Sequence, residues 1–417
     1  KSPTARGFFV GECCPVGVPW RDPKKTTNML HPFKATRPTR DKAYLVATRS
    51  YISYEPYELE DKLENNPYTF LHVINPSALP EASYERRFEA VRERFDFFIQ
   101  EGVFLQEELA TYYLYRQKTP THEFLGVIGL LDADSVAQGK TLPHEKTLER
   151  REKLFEKYLD TTGFQAEPVL VFGSVNEAYE RCLAEVQDDR PEYEFSSTDR
   201  YLHQLWPVPE KWVVVLQEFF TKAGAKYIAD GHHRLASSVR VAEGRPDNPL
   251  AQGVLCMFMS EKQLSIQAFE RWMKLEDRVF DLNDLDAEYS VVPLEGPSSE
   301  LGEHNFEMYW EGRWYGLIHK DKEVDEVLAT QLLLDSILKP LFEVHDERND
   351  SRLSYVRQSE ADRSGAMRKR GYNLGFRLPP VSVKLLKEIA ENRGSMPPKS
   401  TYIEPKLRSG LLLHVFK

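Results

Sequence analysis

Tyr227-Ile-Ala-Asp-Gly-His-His-Arg-Leu-Ala-Ser-Ser-Val-Arg240 is the stretch on which the organisation of this chain turns. Lys226 to Ala229 form the end of a short apolar strand, and Leu235, Ala236 and Val239 follow at helical spacing. Between them lie an acid, a glycine, two imidazoles and a guanidinium. A strand that turns tightly into a helix presents unpaired backbone N–H groups at the helix start. Gly231 lets a ligand approach that backbone, because no Cβ is in the way. With the positive end of the helix dipole, this makes an anion site. Arg234 can add a bidentate fork for phosphate oxygens, and Asp230 a carboxylate for a metal or a hydroxyl. The bland alternative is a buried ion pair with two packed histidines. Five such residues at one turn favour a functional site.

Two further clusters carry chemistry. In Leu142-Pro-His-Glu-Lys-Thr147, Pro143 makes a turn and His144-Glu145 stands at the mouth of a helix beginning near Lys146. Glu145 there is either a helix-start acid or a base facing a cleft. In Met396-Pro-Pro-Lys-Ser-Thr401, followed by Glu404-Pro-Lys-Leu-Arg-Ser-Gly410, a lysine beside two hydroxyls suits phosphate oxygens. Against this stands a proline-stiffened surface turn. No P-loop and no dinucleotide fingerprint is present. The spacing around His144 is not that of a zinc protease. Magnesium, bound through Asp230 or through substrate phosphates, fits such a site better than structural zinc.

The 417 residues allow two or three domains, or one core with a large insertion. A formal net charge of −10 argues against a general nucleic-acid binder, while leaving room for a small basic pocket. No run approaches the roughly 20 apolar residues of a membrane-spanning helix. Four scattered cysteines, Cys13, Cys14, Cys182 and Cys256, make neither a disulfide framework nor a zinc ribbon. The segment from Gly7 to Trp20 lacks the apolar centre and cleavage site of a signal peptide, so a cytoplasmic location is expected.

Residues 1–30 are expected to be an irregular arm. Strands are predicted over Lys42–Thr48, Tyr68–Ile74, Ala110–Gln117, Phe124–Leu131, Val169–Phe172 and Gly253–Met259. Helices are predicted over Glu58–Asn65, Ala82–Glu101, Lys146–Asp160, Val175–Glu185, Asp325–Lys339 and Leu385–Asn392, the fifth stopped or kinked at Pro340. A hairpin is expected around Trp310-Glu-Gly-Arg-Trp314. The texture from Leu275 onward suggests a small β subdomain.

Pro143-His144-Glu145, Asp230-Gly231-His232-His233-Arg234 and Pro398-Lys399-Ser400-Thr401, in that order, resemble the motifs of the archaeal free serine kinase of the ParB/sulfiredoxin-like superfamily. A longer framework is similar to a widespread family defined only as a domain of unknown function. Its hallmarks here are Asn66-Pro67 with Phe70-Leu-His72, His144-Glu-Lys-Thr147, His203-Gln-Leu-Trp206, Ala229-Asp-Gly-His-His-Arg234 and Met396-Pro-Pro-Lys-Ser-Thr401. This resemblance implies an α+β protein with a ParB/sulfiredoxin-like core enlarged by N-terminal and middle insertions. The expected layout is an arm over 1–30, a catalytic region over 31–274, an inserted β subdomain and helix over 275–345, and a C-terminal segment over 346–417 that completes the site.

The resemblance implies phosphoryl transfer to free L-serine, forming O-phospho-L-serine. Glu145 maps onto the catalytic base, and Asp230 onto a group that binds Mg2+ or orients the hydroxyl. Gly231, His232, His233, Arg234, Lys399, Ser400 and Thr401 are expected to bind phosphate. His144, Arg37 and Arg271 are expected around the amino acid, the two arginines as carboxylate forks. The resemblance implies ADP as donor in the kinase branch and pyrophosphate in some longer relatives; pyrophosphate is expected here ahead of ADP or ATP, the segment between Glu145 and Asp230 being longer than in the short kinase. The rival readings are a phosphoserine phosphatase or reverse phosphotransferase at the same site, and a ParB-like nucleotide-gated DNA-binding protein.

Overall fold

The computed structural model describes residues 30–75, 82–275, 280–298, 301, 304–347, 349–357, 363–397 and 399–417. The expected arm therefore lies outside the described residues apart from Leu30, and Cys13 and Cys14 lie outside them as well. The protein is α+β. The strand Glu123–Asp132 is buried from Phe124 onward, so the sheet around it needs cover on both faces. That sheet runs in the order Thr141–Leu142, Lys226–Asp230, Val169–Gly173, Gly253–Ser260, Glu123–Asp132, Tyr113–Lys118, Leu202–Pro207, Tyr193–Ser196. Leu30–His31 also pairs with Glu123–Asp132. Most neighbours are antiparallel; Val169–Gly173 with Gly253–Ser260, and Thr141–Leu142 with Lys226–Asp230, are parallel.

Alternation along the strands sends successive side chains to opposite faces. Leu125 and Val127 join Tyr179, Leu183, Leu216 and Phe220 of the helices Glu177–Gln187 and Glu210–Lys222 on one face. Phe124 and Ile128 join Leu386 and Ala390 of the helix Val383–Glu391 on the other, with Met396, Ile403, Leu407 and Leu412 from the chain's end. The last forty residues are thus part of the core. They are held by backbone pairing too: Leu413 exchanges both hydrogen bonds with Thr36, at 2.8 and 3.0 Å, and His414–Val415 pairs with Phe164–Gln165.

A second sheet runs Tyr289–Leu294, Arg313–His319, Phe306–Trp310, Leu374–Arg377, Phe269–Met273, Leu353–Arg357. It has its own core around Phe306, Met308, Leu317 and Phe376. It draws strands from both sides of the 275–345 span, because Phe306–Trp310, an outer one of the three strands inside that span, offers an open edge that Leu374–Arg377 pairs. The hairpin at Trp310 is present, with Glu311 and Gly312 both at positive φ (47° and 82°) as a two-residue turn requires.

Two predicted strands are instead single helical turns, Ala43–Val46 and Leu71–Ile74. Val46, Phe70 and Val73 are buried together with the phenylalanines of the helix Tyr84–Gln100. Short apolar runs do not by themselves separate a strand from a buried helical turn. The helix expected over 325–339 begins at Ala329 and widens into π-type turns over Leu334–Leu338, before Lys339–Phe342 resumes α geometry. Pro340, without an N–H, accounts for the lost regularity.

Leu413 is fully buried against the phenylalanine cluster. Leu413→Ala should destabilise the fold by about 2–5 kcal/mol, read as a lower urea midpoint. An unchanged midpoint would show that the C-terminal segment is not part of the core.

Candidate active site

The turn has the expected form. The strand Lys226–Asp230 ends at Gly231, which has φ of 94° and caps the helix His232–Gly244. Among the described residues no side chain caps that helix, and its first N–H groups have no intrahelical partner. A Cβ on Gly231 would stand 2.8 Å from the Arg234 guanidinium, and positive φ would strain it further.

The other two segments meet this turn. The Met396 N–H donates to the His144 carbonyl at 3.0 Å. The His144 ring packs edge-on against His232, with centroids 4.5 Å apart at 83°. Glu145 Oε2 lies 3.8 Å from His232 Nδ1. The helix beyond begins at Glu149 rather than near Lys146, so Glu145 sits in the preceding loop, partly exposed, and is not a helix-start acid. Lys399 lies with its ammonium over the Phe269 ring at 5.0 Å, where it feels the charges of both Glu145 and Asp230. Its φ of 57° costs a non-glycine residue about 1 kcal/mol or more, a strain the surroundings must hold.

The sequence matches the family described as "Protein of unknown function (DUF1015)" over residues 30–337. The chain belongs to that family. No curated protein matches it. Among solved structures, a variant of free serine kinase in complex with ADP is similar at 12% identity and a TM-score of 0.36, over 68% of this chain and 91% of that one. Free serine kinase in complex with AMP is similar at 14% identity and a TM-score of 0.34, over the same shares. SbnI with a C-terminal truncation, from Staphylococcus aureus, is similar at 13% identity and a TM-score of 0.35, over 66% of this chain and 82% of that one.

In this DUF1015 protein the carboxylates and cations of the site are paired with one another. Asp230 accepts from Arg234 at 2.7 Å and from Lys406 at 2.5 Å. Arg234 also pairs with Glu167, which accepts from the Ser409 hydroxyl at 3.2 Å. The bland alternative is therefore partly realised: Arg234 is in an ion pair, and of the two histidines of the turn His232 is packed, against His144. These ion pairs are partly exposed and worth about 0–1 kcal/mol each. A phosphate bound through charge-assisted hydrogen bonds can replace them.

Several expected residues are placed elsewhere. His233 feels the charges of Arg151 and Glu152 on the helix Glu149–Thr162. Ser400 is buried, donating to the Pro397 carbonyl at 2.8 Å and 3.1 Å from the Thr330 hydroxyl. Thr401 is half-buried. Arg37 is engaged with Glu192 at 3.1 Å and with the Tyr193 hydroxyl at 2.7 Å, and it also pairs with Glu107. Arg271 is fully buried in the second sheet, on Glu347 and the Phe269 carbonyl. Among the described residues no contact brings either arginine to the turn. Lys406, Glu167, Phe269 and Tyr402 are at the site and were not expected there. Lys406 stands in the Glu404–Gly410 segment that follows the lysine motif, the one signal that pointed to it.

Burial is the main force on the histidines. It pulls His144 and His232 from their ordinary value near 6.5 to about 3, and His203, stacked on Phe195 and Tyr201, equally far. All three are neutral at pH 7, so His232 brings no positive charge to a phosphate. Burial, with Lys406 beside it, also lowers Lys399.

The histidines fix a pH dependence. The unfolded chain binds protons below about pH 6.5 that the folded chain refuses, so stability falls as pH drops. Urea midpoints should stay level near pH 7 and decline from about pH 6.5 to 4.5, above the range where most carboxylates titrate. A midpoint that rises on acidification over that window would contradict neutral burial.

Proposed function

We propose that this protein transfers a phosphoryl group from a polyphosphate donor, pyrophosphate ahead of ADP or ATP, to the hydroxyl of free L-serine. One observation carries the reading. The three motif segments meet at one turn, where Glu145 and Asp230 stand beside the cations Lys399 and Lys406 and an uncapped helix start. Phosphoryl transfer asks a protein mainly to position groups and neutralise charge, and this arrangement offers both. The motif resemblance to free serine kinase, and with it a ParB/sulfiredoxin-like core, supplies the acceptor.

In this reading the donor phosphates lie over Gly231 and the first N–H groups of the helix. Lys399 and Lys406 neutralise them, Lys406 exchanging Asp230 for phosphate. Glu145 takes the proton from the serine hydroxyl as its oxygen bonds to the terminal phosphorus. The bridging P–O bond breaks, and inorganic phosphate leaves with its electron pair. His232, neutral and 3.8 Å from Glu145, adds no charge beside that carboxylate. Among the described residues no group of three or more His, Cys, Asp or Glu side chains is arranged to hold a metal ion. Mg2+ would therefore be held by the donor's own phosphates with Asp230 as a single protein ligand, and would supply charge neutralisation. Pyrophosphate is favoured because the aromatic faces at the site already carry cations: Lys399 on Phe269, Arg357 and Lys406 on Tyr402.

Glu145→Gln should lower phosphoserine formation by about 10²–10⁴-fold, while pyrophosphate binding measured by calorimetry is kept. Near wild-type formation by this variant would overturn the assigned base. A panel of pyrophosphate, ADP and ATP against serine, threonine and homoserine reads donor and acceptor directly.

A further inference from the structure

We infer that Arg357, from the second sheet, is the fork that binds the carboxylate of the amino-acid acceptor. The inference rests on the proposed reading, and it assigns a role to a residue beyond the family match, which ends at 337. A zwitterionic acceptor with its hydroxyl at Glu145 needs a cation for its carboxylate, and a planar guanidinium supplies two parallel donors for one. The arginines around the site are already committed: Arg234 to Asp230, Arg408 to Asp199 and Arg49 to Glu58. Arg357 is exposed, and no carboxylate among the described residues pairs with it.

Its placement is built. Arg357 ends the edge strand Leu353–Arg357, in register opposite Phe269, whose ring holds the Lys399 ammonium. Its guanidinium lies over the Tyr402 ring at 4.5 Å; Lys406 lies over the same ring at 5.3 Å and reaches Asp230 at 2.5 Å. Three contacts, through Tyr402 and Lys406, thus join Arg357 to the turn. Stacking on tyrosine fixes the plane of the guanidinium while leaving its N–H edge free for a carboxylate. Tyr402 is itself held by its strand pairing with Ser265–Gln267 and by the edge of Phe269 at 5.6 Å. The second sheet therefore does more than enlarge the protein: it closes one wall of the acceptor subsite.

The test compares two ligands by calorimetry on the full chain. O-phospho-L-serine and O-phosphoethanolamine share a phosphate and an ammonium and differ in the carboxylate. Arg357→Ala should weaken phosphoserine about tenfold or more and leave phosphoethanolamine unchanged, with Arg357→Lys in between. Unchanged phosphoserine affinity would overturn the assignment. Equal loss of both ligands would overturn it as well, by making Arg357 a phosphate contact. Serine turnover by the wild-type protein is scored separately. If the ligand contrast holds without turnover, the reaction falls and the subsite stands; turnover without the contrast does the reverse.

Discussion

Two uncharged imidazoles packed edge to face, His144 against His232, are the contact on which the site depends. One stands in the loop after the strand Thr141–Leu142 and the other in the first turn of the helix His232–Gly244. Both are buried, and burial keeps both neutral. A hydrocarbon pair would pack as well and cost less, because a buried polar atom without a partner costs about 1–3 kcal/mol. Among the described residues Nε2 of His232 is such an atom. What the pair provides is placement: Glu145 follows His144 directly, and the backbone of His144 receives the segment that carries Lys399.

The charges of the site are arranged so that none needs to be created for an anion to bind. Asp230, Glu167, Arg234 and Lys406 satisfy one another without a ligand, in pairs weak enough to exchange. Lys399 and Arg357 are held on aromatic faces. The chain is acidic overall, and these cations concentrate opposite charge in one place. That is what polyphosphate chemistry asks of an acidic protein. The second sheet enters here as well, since Phe269 and Arg357 belong to it while Tyr402 pairs with the strand just before it.

Much of this was legible in the sequence, and for physical reasons. Gly231 between a short apolar run and a helical stripe marks a turn that only a glycine makes easily. Val169–Gly173, Glu123–Asp132 and Gly253–Ser260 are apolar enough to read as buried strands. The convergence of three segments was legible only through the motif resemblance, since nothing local in Met396–Thr401 points to His144. Side-chain direction was harder. Ser400 was expected on phosphate, yet it is buried between the Pro397 carbonyl and the Thr330 hydroxyl. Arg37 and Arg271 looked like free forks because their partners, Glu192 and Glu347, are distant in sequence. Arg357 was invisible for the opposite reason: its value lies in register with Phe269 and in stacking on Tyr402, neither of which a linear reading shows.

The central claim is that one pocket, made of three distant segments, grips a polyphosphate beside Glu145. A crystal structure with imidodiphosphate, a pyrophosphate whose bridge resists cleavage, and magnesium tests it most directly. The account predicts phosphate oxygens on the N–H groups after Gly231, with Lys399 and Lys406 turned onto them, Asp230 released from Lys406, and Glu145 within reach of the terminal phosphate through one acceptor-sized gap. An anion bound elsewhere, or a turn that keeps its internal ion pairs at saturating ligand, would contradict it.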